Sequence, residues 1–192
     1  MNKASFIFFL ISVLIIASCD ERPSAVANTS THDVHSDNWK GQLNEALPLL
    51  GHRNWIVIAD KAFPQQNAPG IEYINTNEKL LPVLQYVLEQ ADASGHIKPI
   101  IYRDRELTFI TEEQAKGVNG FIAASQQLFG TKPIQTILHD SVFTRLEAAS
   151  KLFKVLVLKT NETIPYTSVF LQLDCAYWDA EKEKQMRDSM NK

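Results

Sequence analysis

Cysteine is nearly absent: two residues in 192 cannot form a disulfide scaffold. Glycine and proline are sparse too, seven and eight, which excludes collagen-like repeats and a Gly-rich character. There is no basic excess. The 19 Lys plus Arg stand against 22 Asp plus Glu, a formal net charge of -3, which excludes a broad nucleic-acid surface as the main theme. Also missing are the Gly-x-Ser-x-Gly elbow of one class of serine hydrolase, the Gly-rich phosphate loops of nucleotide binders and any internal repeat. What is present is 45% hydrophobic and 21% charged, a globular composition. The length fits one domain with at most a small appendage.

The N-terminus reads as an address. Lys3 precedes an apolar run from Phe6 to Ala17, about a dozen residues, which suits a secretory signal and falls short of the ~20 that a spanning helix needs. Ile16-Ala17-Ser18-Cys19 resembles the lipobox of bacterial lipoproteins, where small residues admit a peptidase and the cysteine thiol accepts a diacylglycerol. Residues 1–18 are therefore expected to be a lipoprotein signal peptide and Cys19 the lipidation site. The protein is then expected in the cell envelope, facing the periplasm or the outer surface, and touching the membrane through the lipid alone. Cys175 lies in an apolar stretch without an intrachain partner and is expected to be a buried structural thiol. Residues 19–37 are rich in Ser, Thr, Asp and Asn and read as a flexible tether. His32 and His35 lie on that tether, unsupported by preorganised structure or a cysteine, so they are not assigned to metal. No metal site is assigned elsewhere.

From residue 38 to 178 the pattern alternates between strands and helices. Trp39, Leu43, Leu47 and Leu50 fall at near-helical spacing, with Asp37 or Asn38 as N-cap, Pro48 disturbing the last turn and Gly51 as a stop. A continuous apolar run predicts a buried strand at 55–59, and further strands are predicted at 71–74, 97–102, 107–110, 134–138, 154–158 and 168–173. Helices are predicted at 78–90, from Thr111 to about Phe129 across two glycines, and at 140–152. Glu112 and Glu113 open the second of these and read as residues favoured by the helix dipole. The alternation implies an α/β fold, a three-layer α/β/α arrangement around a mostly parallel central sheet. Residues 179–192 are a charged tail, a solvated helix or a frayed end.

The most informative stretch is Gly51-His52-Arg-Asn54-Trp-Ile-Val-Ile-Ala-Asp60-Lys-Ala-Phe-Pro64. His52 stands just before a buried strand and Asp60 just after it. Asp60 is at a carboxyl end, where open α/β sheets bind ligands. A strand of that length separates the two side chains, so the residues alone do not join them into one site. Taken alone, His52 also reads as a helix-end histidine satisfying local carbonyls.

This stretch resembles the signature of the D-ribose pyranase and L-fucose mutarotase (RbsD/FucU) family. Two further stretches agree in order: Gly70 to Leu84, with Pro82 early in the following helix, and Lys159-Thr-Asn-Glu162-Thr-Ile-Pro-Tyr166-Thr-Ser168. The resemblance spans about residues 39 to 178. It implies an RbsD-like fold, a free monosaccharide as ligand, no cofactor, and a ring-shaped homo-oligomer whose sites form where subunits meet. It makes His52 the catalytic histidine and places Asp60, His139 and Tyr166 against the sugar, with Ser168 at the position of a sugar-site Asn. Asn54 occupies the position of an Asp that orients the histidine. An amide can hold a ring nitrogen but cannot stabilise an imidazolium by charge. No Lys follows His139 as it often does in the family; Arg145 is the nearest cation.

The chemistry suits these side chains. Interconverting anomers or ring forms of an aldose requires a proton to leave the anomeric hydroxyl and another to reach the ring oxygen, and an imidazole can exchange protons in both directions near neutral pH. The leading expectation is therefore a mutarotase or pyranase-type isomerase acting on a free aldose by acid–base catalysis. Asn54 and Ser168 support an alternative, a non-catalytic sugar-binding lipoprotein that keeps the pocket. A structural envelope lipoprotein that uses the fold only to oligomerise is a third reading. Nucleic acid is not an expected partner.

Overall fold

Four short strands and two longer ones assemble into a single sheet in the computed structural model, which describes residues 38–191. The signal peptide, Cys19 and the whole of the 19–37 tether, His32 and His35 included, lie outside the described residues. The chain order is α1 (Trp39–Ala46), β1 (Trp55–Ala59), β2 (Ile71–Asn75), α2 (Leu80–Ala93), β3 (Ile97–Asp104), α3 (Val118–Phe129), β4 (Ile134–Ile137), α4 (His139–Ser150), β5 (Val155–Lys159), β6 (Val169–Cys175) and α5 (Ala180–Met190). The strand order is β2-β5-β1-β6-β3-β4. β6 runs antiparallel to both of its neighbours, β1 and β3, and every other pairing is parallel.

All five residues of β1 are buried, as expected for a central strand covered on both faces. Side chains alternate across the sheet. Ile56 and Ile58 join the core built from α1, α2 and α3, while Trp55, Val57 and Ala59 face Val142 and Leu146 of α4 together with Phe63 and Phe170. This gives the three layers expected from the alternating pattern. Gly70 packs directly against the end of α4. A Cβ there would lie 2.2 Å from the Ser150 carbonyl oxygen and 2.7 Å from that of Phe153, so only glycine lets β2 start against the end of α4.

Three expectations shift, each for a local reason. Pro48 ends α1 as anticipated, but the chain continues as a short 3-10 turn over Leu47–Leu49. The stretch read as a strand at 107–110 is instead part of a 3-10 turn, Arg105–Phe109. Only Leu107 of that turn is buried and Phe109 is exposed, so the run lacks the buried face a strand needs. The helix expected from Thr111 begins at Val118, because Gly117 sits at φ +90, a left-handed conformation no right-handed helix contains. Glu112 still serves the helix start, accepting hydrogen bonds from the Gly117 and Asn119 N–H groups at 2.5 and 3.2 Å. The charged tail forms α5, which buries none of its residues. Among the described residues no helix is long and apolar enough to cross a membrane.

Candidate active site

The sheet register builds the first cluster. β3 pairs with β4 so that Asp104 lies opposite Ile137, and α4 starts two residues later at His139. The carboxyl end of β3 is thereby set beside the histidine, whose Nδ1 lies 2.8 Å from Asp104 Oδ2. Glu106, from the turn after β3, accepts the His139 backbone N–H at 3.1 Å on each carboxylate oxygen. It thus satisfies an orphan donor and complements the positive end of α4. His139 Nε2 has no partner among the described residues.

Asp60 follows β1 at the same end of the sheet. Its Oδ1 accepts the Ala62 and Phe63 N–H groups at 2.9 and 3.1 Å, closing an Asx-type turn. Its Oδ2 accepts the Ser168 hydroxyl at 2.9 Å. The Ser168 oxygen in turn accepts the Asp60 N–H at 3.0 Å. Ser168 is buried behind Asp60 and does not line the cavity; it fixes the carboxylate rather than facing a ligand.

Tyr166 reaches the same place through a strained backbone. Its φ of +60 is an outlier for a bulky residue, of the kind that clusters at functional sites. The segment around it is tightly held. The buried Glu162 carboxylate accepts the Thr163 and Ile164 N–H groups, and the Thr167 hydroxyl donates to the Ile164 carbonyl at 2.6 Å. The His139 ring stands edge-on to Tyr166, with centroids 5.2 Å apart, and to Phe143 at 4.8 Å. Phe63 stacks on Phe143 at 5.3 Å.

Asp60, His139 and Tyr166 thus converge on one cavity of about 230 Å³, floored by Phe63 and Phe143. That is below the roughly 300 Å³ at which drug-sized pockets begin, so it suits a small molecule. Polar groups are set over aromatic faces, the mixture that recognises a polyol with apolar ring faces. Electrostatics tune it. Burial pushes the Asp104 carboxyl up to about 6, with Glu106 and Asp60 adding to the rise and the His139 hydrogen bond only partly opposing it. Asp104 Oδ1 is buried without a partner. Lys159 donates to the Phe63 and Lys61 carbonyls. Burial lowers its pKa against the opposing pull of Asp60. Arg145 lies over the Tyr102 ring at 5.2 Å and does not line the cavity.

His52 belongs to a different place. It precedes β1, at the end of the sheet opposite Asp60, and lines a cavity of about 580 Å³ with Asp174, Cys175, Tyr177, Trp178 and Glu183. Its Nδ1 lies 2.9 Å from Asp174 Oδ1, and its Nε2 lies 3.2 Å from Arg53 Nε. The His52 ring therefore meets a carboxylate, not local carbonyls. Asn54 does not touch it: its Oδ1 accepts the Gly51 N–H at 2.7 Å and its Nδ2 donates to the Lys154 carbonyl at 3.4 Å. Cys175, expected to be a buried thiol, is only half-buried and lines the His52 cavity.

Sequence reasoning missed Asp104, Glu106 and Asp174. The first two lie in Tyr102-Arg-Asp-Arg-Glu106, the polar stretch that follows the strand predicted at 97–102. Their partners depend on β3 lying beside β4, which nothing local encodes. Among the described residues no group of three or more His, Cys, Asp or Glu could hold a metal ion.

No family model matches the sequence, and no curated protein matches it. Solved structures do match. Bacillus subtilis RbsD, in its complex with D-ribose, superposes with a TM-score of 0.51 at 20% identity, over 69% of this chain and 91% of that one. The fucose mutarotase from Streptococcus pneumoniae, in complex with L-fucose, gives 0.50 at 17% identity, over 74% and 97%. The chain has the RbsD/FucU fold.

Proposed function

We propose that this chain, built on the RbsD/FucU fold, is an aldose mutarotase or pyranase-type isomerase. The observation that carries the reading is the convergence of Asp60, His139 and Tyr166 on one small cavity at the carboxyl ends of the strands. Ring opening takes the proton from the anomeric hydroxyl and forms the C1=O bond. The bond from C1 to the ring oxygen breaks, and a proton is delivered to that oxygen. Reclosure on either face, or through a different hydroxyl, reverses both transfers. Two exchangeable groups on opposite sides of the sugar serve this best.

In this reading Asp60, held by Ser168 and its own loop, takes sugar hydroxyls by charge-assisted hydrogen bonds. Tyr166 covers one ring face. His139, backed by Asp104, exchanges a proton through Nε2. His52 is the second imidazole, contributed by a neighbouring copy in a homo-oligomeric ring. Exposed Phe109 and Leu138, which adjoin the segments carrying Glu106 and His139, supply apolar surface for such a contact. Export and attachment to the cell envelope through lipid on Cys19 complete the proposal.

A second reading, a sugar-binding protein without proton transfer, is favoured by one observation: His52 and Asp60 lie at opposite ends of β1, so a solitary protomer offers its cleft a single imidazole. Saturation-transfer NMR across free aldoses separates the two. Accelerated exchange between anomers or ring forms is expected for at least one sugar. Line broadening without acceleration would leave the binding protein, and neither effect would discard both. Mixing His52→Ala with His139→Ala protein tests the shared site. Random assembly should restore up to about a quarter of the intact interfaces, and no restoration from two soluble, inactive variants would refute it.

A further inference from the structure

β6 extends beyond its last pair with β1. Trp55 pairs with Gln172 and Lys98 with Asp174, and the Arg53 N–H donates to the Leu173 carbonyl at 2.8 Å. This register carries Asp174 to the residues just before β1. There Asp174 Oδ1 accepts the Cys175 N–H at 2.9 Å and meets His52 Nδ1, while Oδ2 lies 3.6 Å from Lys98 Nζ. The carboxylate is thus aimed, with one oxygen committed to the imidazole. Burial alone would raise the Asp174 pKa, but the Cys175 N–H, His52 and Lys98 outweigh it and hold the group charged.

The other acidic groups around His52 are engaged elsewhere. Glu183 accepts from Trp178 Nε1 at 2.8 Å and from Arg187, and Asp179 caps α5 by accepting the Lys182 N–H at 2.9 Å. Arg53, held at φ +76, points its Nε at His52 Nε2. Both ring contacts select the same neutral tautomer: Nδ1 donates to Asp174, and Nε2 keeps the lone pair that Arg53 meets.

We infer that Asp174 is the positioning residue for His52, supplying from β6 the oriented carboxylate that Asn54 does not. The inference rests on the proposed proton-transfer role of His52. A carboxylate on Nδ1 fixes the ring and keeps the basic lone pair on Nε2, where a sugar hydroxyl takes the place of the Arg53 donor, and it stabilises the imidazolium formed by proton transfer.

The test uses the full chain labelled with [15N]histidine, with His52 assigned by comparison with His52→Gln. The wild-type ring is expected in the Nδ1–H form. Asp174→Ala should slow aldose exchange by about 10²-fold with sugar-binding line broadening unchanged. Asp174→Ala combined with Arg53→Ala, which also removes the donor on Nε2, should move the ring toward Nε2–H, while Arg53→Ala alone keeps the Nδ1–H form. In Asp174→Asn the amide oxygen takes the Oδ1 place, so the Nδ1–H form should be kept while exchange falls to an intermediate rate. An unchanged His52 tautomer in the double variant, or loss of the Nδ1–H form in Arg53→Ala alone, would overturn the inference. If the wild-type protein accelerates no aldose, the functional reading fails, while the ring spectra still decide what Asp174 does to His52.

Discussion

Replacing Asp104 with Asn should flatten the pH dependence of stability on the acid side. The Asp104 side chain is fully buried, and burial, followed by the charges of Glu106 and Asp60, outweighs the His139 hydrogen bond to raise its pKa from 3.8 to about 6. That difference is worth about 3 kcal/mol. The folded state holds this proton more tightly than the unfolded chain. The stabilising contribution is therefore complete below about pH 4, is lost as the pH rises through about 6, and is constant above that. The substituted amide carries no charge at any pH. Wild type and variant each leave one polar atom unsatisfied at the Oδ1 position, so the difference in that cost is constant with pH and displaces the curve without changing its slope. Urea unfolding across this range, analysed by midpoint and m-value, should show the wild-type protein losing about 3 kcal/mol more than Asp104→Asn between about pH 4 and pH 7. Parallel curves would refute the reasoning, because the carboxyl would then titrate alike in both states. In the proposed mechanism the same ionisation sets the acid limb of activity. Below about 6 the neutral acid no longer holds the His139 imidazole by charge, so the exchange rate should fall as the pH drops through that value.

Gly70→Ala should cost about 3 kcal/mol or more, measured as a lower urea midpoint, because its Cβ would meet the backbone oxygens of Ser150 and Phe153. Neither is free to swing away, so a neutral result would mean that the end of α4 moves readily. Removing residues 179–192 should change stability by less than about 0.5 kcal/mol, since α5 buries nothing. A marked fall in thermal midpoint would show that the helix has a partner surface not present in a single protomer.

The strands were legible where both faces are buried. Trp55–Ala59 and residues 155–158 are continuous apolar runs, and Asp60 could be placed at a carboxyl end from β1 alone. The start of α3 was not legible, because a glycine inside a helical pattern looks tolerable until its φ of +90 at Gly117 is known. The polar partners were hidden for a different reason. Asp104 and Asp174 acquire meaning only from which strand lies next to which, and the placement of β6 between β1 and β3 is a long-range outcome of the whole chain. Tyr166 could be singled out by resemblance, but not its left-handed backbone, which depends on Glu162 and Thr167 gripping the loop. The tail showed its charges in sequence. Its helical state is supported by pairs one turn apart, Glu183 with Arg187 and Glu181 with Gln185.

Among the described strands, β6 is the one that opposes the direction of its neighbours, and this reversal gives it a double duty. It enters beside Ser168, which holds Asp60, and leaves at Asp174, which meets His52. A slip of this strand along β1 would detune both ends of the sheet together. Neither end can be readjusted by sliding that strand without disturbing the other, so change at either pocket is left to the flanking loops.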